Sequence, residues 1–326
     1  MQKKFWKGKT VFVTGANGFV GSWLVKTLVE FDTRVIVLIK DKISGSLLYD
    51  KTVFPRLYKV VKGSLTDYAR LEKIFKQNKI DVCFHLAAQA IVGKANRSPV
   101  PTFRSNIMGT WNLLEAARIH NVPRAVVASS DKAYGEHAKL PYHENFSLQA
   151  LHPYDASKAC TDILARTYAH TYGLNVAVTR CANIYGPGDM NFSRIIPDTI
   201  QAVLKNENPI IRSDGTPVRD YIYIKDVVNA YLTLAEKVHK PAVSGQAFNF
   251  GTGGHISVLN LVNKILRLTQ KSYLKPEILS KTKIKGEIDK QYLSICKAKR
   301  LLGWKPHYTL DAGLKETFEW YGNYFK

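Results

Sequence analysis

The run Thr14-Gly15-Ala16-Asn17-Gly18-Phe19-Val20-Gly21 limits what this chain can fold into more than any other stretch. It follows an apolar segment, Thr10–Thr14, of the type buried on both faces of a parallel sheet. It opens a segment in which Trp23, Leu24, Leu28 and Val29 recur at helical spacing. Three glycines between a strand and a helix have separate uses. Gly15 permits a tight turn, Gly18 lets the backbone approach a pyrophosphate, and Gly21 lets the helix lie close to the sheet. The free N–H groups and the positive dipole end of the helix then face the phosphates. The strand–turn–helix context, rather than the string, makes this a dinucleotide-binding turn.

The first half of the chain continues the alternation. Arg34–Ile39, Tyr58–Val61, Asp81–Leu86, Ala125–Ser130 and Val176–Arg180 read as strands. Gly21–Phe31, Asp67–Gln77, Phe103–His120 and Pro153–Tyr172 read as helices, the second capped by Thr66 or Asp67. This order predicts an α/β fold with a doubly wound parallel Rossmann sheet, helices on both faces and ligands at the carboxyl ends of the strands. Beyond Asn183, Pro, Gly and polar residues cluster at Tyr185–Asn191 and Asn206–Arg219, where a smaller C-terminal substrate-binding lobe is expected to begin. Tyr221–Glu236 returns to strand-then-helix character. The expected division is therefore 1–182 for the nucleotide-binding domain, with 221–250 returning to it, and 183–326 mainly for the substrate lobe.

Composition excludes several classes. With 326 residues, 45% hydrophobic and 22% charged, the chain buries a full core without staples. A net charge of +21 raises the question of nucleic acid. The lysines, however, are spread along the chain, including Lys281, Lys283, Lys285, Lys290, Lys297 and Lys299, and no nucleic-acid-binding motif is present. No nucleic-acid partner is expected, and a positive cleft would draw in a diphosphate. No apolar run approaches the ~20 residues that span a bilayer, and Met1–Lys9 lacks the apolar core of a signal peptide. A cytoplasmic protein without a membrane partner is expected. Cys83, Cys160, Cys181 and Cys296 form no CxxC pair and read as free thiols in a reducing compartment; no metal site is expected.

Two further motifs carry chemistry. In Tyr154-Asp155-Ala156-Ser157-Lys158 the Tyr and Lys project from one helix face. An ammonium beside a phenol lowers the phenol from its usual ~10 and makes Tyr154 a base for a hydroxyl group. The other motif, Ser129-Ser130-Asp131-Lys132-Ala133-Tyr134-Gly135, lies at the carboxyl end of the fifth strand, where ligands bind.

The TGxxGxxG turn and the YxxxK helix together resemble the extended short-chain dehydrogenase/reductase family. His85-Leu86-Ala87-Ala88-Gln89 and Asn106 extend the likeness, as do FWKGKTVFVTGANGFVGSWL, TFRSNIMGTWNLLEA and LGWKPHYTLDAGLKETFEWY, so it spans nearly the whole chain. The resemblance implies NAD as cofactor. NAD would be held by Gly15, Asn17, Gly18, Phe19, Val20, Gly21, Ser64, Leu65, Leu86, Ala87, Ala88, Gln89, Asn106, Ser129, Tyr154 and Lys158. It implies a nucleotide-diphosphate sugar as substrate, contacted by Asn183, Arg194 and Arg219. It also implies a homodimer joined through Phe103–His120 and Pro153–Tyr172.

Within that family the nucleotide-sugar dehydratase/epimerase branch fits best. Members that only epimerise usually carry small or apolar residues at the positions of Asp131 and Lys132. Members that eliminate water carry an acid followed by a second ionisable residue, and the Asp-Lys pair resembles the CDP-glucose 4,6-dehydratase type. The resemblance gives Asp131 the role of acid, Lys132 that of base, and Ser130 a hydrogen bond to the C4 oxygen beside Tyr154. The acid needs a raised pKa and the base a lowered one. A UDP-sugar 4-epimerase using the same Tyr154 and Lys158 is the alternative. Several positions depart from the pattern. Asp41 comes late for a ribose-binding acid, and Lys40 would suit a 2′-phosphate, so NADP stays open. Ser64 replaces an adenine-side aspartate. The segment Ile210–Asp226 resembles sugar-nucleotide epimerases and dehydratases in general. Gln291 stands where several relatives carry a phosphate-binding arginine.

Overall fold

The computed structural model describes residues 2–280, 282 and 288–326. Lys281, Lys283 and Lys285 of the basic tail lie outside the described residues. A short helix α1 (Gln2–Trp6) precedes β1 (Thr10–Thr14), α2 (Phe19–Glu30), β2 (Arg34–Ile39), β3 (Lys59–Lys62), α3 (Tyr68–Gln77) and β4 (Val82–His85). Then come α4 (Val92–Arg97), α5 (Pro99–Phe103), α6 (Gly109–Ile119), β5 (Ala125–Ala128), α7 (Pro153–Tyr172), β6 (Val176–Cys181) and β7 (Asn183–Tyr185). The remainder comprises α8 (Ile195–Leu204), β8 (Ile210–Ile211), β9 (Val218–Arg219), β10 (Tyr221–Tyr223), α9 (Ile224–Lys237) and β11 (Ala247–Phe250). It ends with β12 (Ile256–Ser257), α10 (Val258–Leu268), β13 (Glu277–Ile278), β14 (Lys290–Gln291) and α11 (Leu310–Tyr324).

The doubly wound parallel sheet is present. Seven strands pair in the order β3-β2-β1-β4-β5-β6-β11, all parallel. The order reverses between β1 and β4, which opens a crevice at their carboxyl ends. Side chains alternate between two cores, as the period of two requires. Val11 and Val13 face one core, shared with Leu24 and Leu28 of α2 and Val227 and Leu234 of α9. Phe12 faces the other, shared with Leu71 of α3, Leu113 of α6 and Ala165 of α7. Both faces are therefore sealed, which is why the strands read as continuous apolar runs.

Local signals set several helix ends. The Asp67 carboxylate accepts from Arg70 N at the start of α3. Pro153 opens α7, and Gly173, at φ +68, closes it. The helix read over Phe103–His120 is instead α5, a widened π-type turn at Arg104–Met108, and α6. Within this turn the Asn106 carbonyl accepts from Thr110 Oγ1 at 2.5 Å and Thr161 Oγ1 at 3.1 Å.

The segment after β6 crosses between layers. The strand read at Tyr221 is β10, which pairs with β7 and stays out of the main sheet. Helix α9 packs into the same core as α2, and β11 extends the main sheet at β6. A small sheet of β12, β9 and β14 sets Gln291 opposite Arg219. Among the described residues, no helix is long and apolar enough to cross a membrane.

One buried ion pair ties α7 to β6. Arg180 Nε and Nη2 donate to the two Asp162 carboxylate oxygens at 2.7 and 2.9 Å, and Arg180 Nη1 donates to Tyr134 Oη at 2.8 Å. Both side chains are almost wholly excluded from solvent. Removing one partner strands the other charge, so Asp162→Ala is expected to lose about 3–5 kcal/mol of stability in denaturant titration. A loss under about 1 kcal/mol would show that the pair does not hold α7 in place.

Candidate active site

A cleft of about 1060 Å³ opens at the carboxyl ends of the strands, between the main sheet and the smaller lobe. Its floor is the glycine turn. Gly15 has φ +70, and a Cβ there would lie 2.6 Å from Ala87 N. A Cβ on Gly21 would lie 2.0 Å from Gly15 O. No side chain caps α2, whose N-cap is Gly18, so the first-turn donors face the cleft. Backbone closeness and an uncapped helix start suit a pyrophosphate.

Every residue expected to hold the cofactor lines this cleft except Asn106. Asn106 is buried behind the wall. Its Oδ1 accepts from Gln89 N at 2.7 Å, and its Nδ2 donates to Ser157 Oγ at 2.9 Å. These bonds join the Gln89 stretch of the wall to α7. Asn17 has a bracing role as well, its Nδ2 donating to Asp41 O at 2.6 Å. Lys40 and Asp41 are both exposed at the cleft edge.

Other supports went unread in the sequence. Thr14 Oγ1 bonds His85 Nδ1 at 2.8 Å and accepts from Ala87 N at 3.3 Å, while His85 Nε2 bonds Thr110 Oγ1 at 3.0 Å. Burial, aided by the Lys158 charge, pulls His85 down to about 3, so the ring is neutral. Asn112 Nδ2 donates to Leu65 O at 3.0 Å. Thr14 and His85 lie within the quoted motifs, but their partners, like that of Asn112, lie far along the chain, so the bonds themselves leave no local pattern.

The YxxxK helix is stapled to β5. Lys158 Nζ donates to Ala128 O at 2.7 Å, and Ser129 Oγ donates to Lys158 O at 3.0 Å. This corrects the electrostatic expectation. Burial raises Tyr154 to about 12, against a lowering hydrogen bond from Ser130 and the nearby Arg194 charge. Burial lowers Lys158 to about 8. The ammonium is turned to a backbone carbonyl rather than to the phenol, so in the protein alone desolvation outweighs charge.

Ser130 is the hub of the proposed chemistry. Its hydroxyl donates to Asp131 Oδ1 at 3.1 Å, accepts from Lys132 N at 3.2 Å, and is near enough to Tyr154 to oppose the rise of its phenol. Asp131 is 4% exposed. Beside it, Asp155 is buried with Oδ1 unpartnered, and burial lifts it to about 6 despite the Lys132 charge. Asn183, Arg194 and Arg219 line the far wall. Arg194 Nη1 donates to Asp189 Oδ2 at 2.9 Å, a residue not singled out in the sequence. Arg219 Nη1 donates to the Val218 and Asp289 carbonyls at 2.9 and 3.2 Å.

Residues 11–251 match the family model described as the NAD dependent epimerase/dehydratase family. The chain belongs to that family. Its cofactor is NAD, which the glycine turn and the uncapped α2 fit. A dTDP-D-glucose 4,6-dehydratase of Bos taurus is 30% identical, covering 97% of this chain and 90% of the relative. A CDP-glucose 4,6-dehydratase of Salmonella typhimurium is 29% identical, covering 98% and 92%. The crystal structure of a UDP-glucose 4-epimerase from Thermotoga maritima with UDP-glucose superposes with a TM-score of 0.88. It is 32% identical and covers 97% of this chain and all of its own.

Two outcomes follow. Gly21→Ala forces backbone apart at the turn and is expected to weaken NAD binding at least about tenfold in a fluorescence titration; unchanged affinity would dissociate the turn from the cofactor. Asp155 binds its proton more tightly folded than unfolded, so its burial costs stability as pH rises from about 4 to about 6. Asp155→Asn should therefore raise the melting temperature near pH 7, with the gain vanishing towards pH 4. A gain independent of pH would contradict the assignment.

Proposed function

We propose that the chain is a nucleotide-sugar 4,6-dehydratase, with CDP-glucose as the first donor to test. The observation that carries this reading is Ser130, which donates to the buried Asp131 carboxylate at 3.1 Å and lies in the same cleft as Tyr154, near enough to lower its phenol. A base for C4 and an acid for C6 would thus flank one serine. The Asp131–Lys132 pair has no use in simple epimerisation.

The chain's residues divide the work. Tyr154 takes the C4 hydroxyl proton as a phenolate, a form that the positive charge of bound NAD would favour against the burial that raises the phenol, and Ser130 holds the C4 oxygen. NAD, which the glycine turn and the start of α2 would hold, would supply the hydride acceptor for C4 and the hydride donor for C6. The C4 ketone acidifies the C5 hydrogen, which Lys132 is the residue placed to remove. Asp131 protonates the C6 oxygen, and water leaves. Lys132 then returns its proton to C5 as the hydride reaches C6. The proton that Tyr154 took from C4 replaces the one that Asp131 gave to the leaving water, so the product is the 4-keto-6-deoxy sugar plus one water, with no net use of cofactor. Arg194 and Arg219 suit the diphosphate through their planar donor forks.

A second reading, C4 epimerisation of a UDP-sugar, is favoured by the close likeness to the Thermotoga maritima epimerase. Product mass from CDP-, dTDP-, UDP- and GDP-glucose separates the two. Dehydration lowers the mass by one water, whereas epimerisation leaves it unchanged and inverts C4. With an active donor, Asp131→Asn is expected to keep C4 oxidation, visible as reduced nicotinamide, and to lose roughly 10²–10⁴-fold in water release. Full dehydration by that variant would remove Asp131 from the acid role.

A further inference from the structure

Gln291 is wholly buried, and both ends of its amide reach the acid–base loop. Its Oε1 accepts a hydrogen bond from the Lys132 amine, and its Nε2 donates to Asp131 O at 3.0 Å. It stands on β14 opposite Arg219 in the register with β9. The chain just after it is gripped from the other side, where Tyr142 N donates to Tyr292 O and Ser294 N to Tyr142 O, each at 2.9 Å. A strand of the smaller lobe therefore holds two residues of the main sheet's fifth loop.

The type of side chain matters. A carboxylate at this place would lock Lys132 as an ammonium, and a guanidinium would repel that charge. An aliphatic group would take this bond from the amine. The amide oxygen takes one N–H from either the amine or the ammonium, so it fixes the nitrogen without selecting its charge. Asp155 of α7 is near enough to Lys132 to feel its charge, and Asp131 adjoins it on the same loop.

We propose that Gln291 is a positioning residue for the elimination half-reaction, aiming the Lys132 nitrogen and the adjacent Asp131 at the sugar and linking them to the strand beside Arg219. The inference rests on the dehydratase reading. It assigns a use to a position where the resemblance gave only a missing arginine.

The test uses the NAD-loaded full chain with Gln291→Leu and the isosteric Gln291→Glu. On rapid mixing with an active donor, both are expected to form reduced nicotinamide as the wild type does. Water release and solvent deuterium uptake at C5 should then fall roughly tenfold to a hundredfold, so that reduced nicotinamide accumulates. A merely structural role would slow both halves together. In the absence of sugar, amine acylation of Lys132 followed by mass spectrometry should be severalfold faster in Gln291→Leu than in wild type. Dehydration by both variants at the wild-type rate, without accumulation, would overturn the role of Gln291 alone. Unchanged acylation would overturn the clamp. A wild type that returns sugar of unchanged mass would overturn the dehydratase reading and the elimination role with it, while the acylation rates would still report on the clamp.

Discussion

The arrangement of the site depends on the pair of hydrogen bonds that joins α7 to the end of β5. Lys158 reaches Ala128 O, and Ser129 reaches Lys158 O. Each group spans from one element to the other, so neither helix nor strand can shift without breaking a buried bond, and such a break leaves an unsatisfied polar group. The staple sets Tyr154 next to Ser130, and Ser130 in turn caps the short turn that begins at Asp131. Beneath it, Arg180 and Asp162 tie α7 to β6. A phenol, a hydroxyl, a carboxyl and an amine are thus carried on elements whose spacing is rigid.

The smaller lobe completes the site by short ladders rather than by a large sheet. β9 brings Arg219 to the cleft, and β14 places Gln291 beside it in register. Gln291 bonds the Asp131 carbonyl and the Lys132 amine, while Arg219 bonds carbonyls of its own segment.

Much of this was legible in the sequence, for physical reasons. The glycine turn, the alternating strands and the YxxxK helix are local patterns with fixed periods, and the doubly wound sheet follows from them. The wide turn at Arg104–Met108 was not legible, because one enlarged turn barely disturbs a helical apolar repeat. Nor was the direction of the Tyr154 shift. Spacing puts Lys158 on the same face as the phenol, but only the fold shows which carbonyl its ammonium meets. Gln291 lies 159 residues from Lys132 along the chain, on a strand two residues long, and nothing near it in the sequence marks the contact.

The central claim is that one pocket both oxidises C4 and expels the C6 hydroxyl. It is tested most directly with nucleotide-glucose carrying deuterium at C4. The account predicts a 4-keto-6-deoxy product in which that deuterium has moved to C6 of the same molecule. Deuterium kept at C4 of an inverted hexose that has lost no water would contradict it.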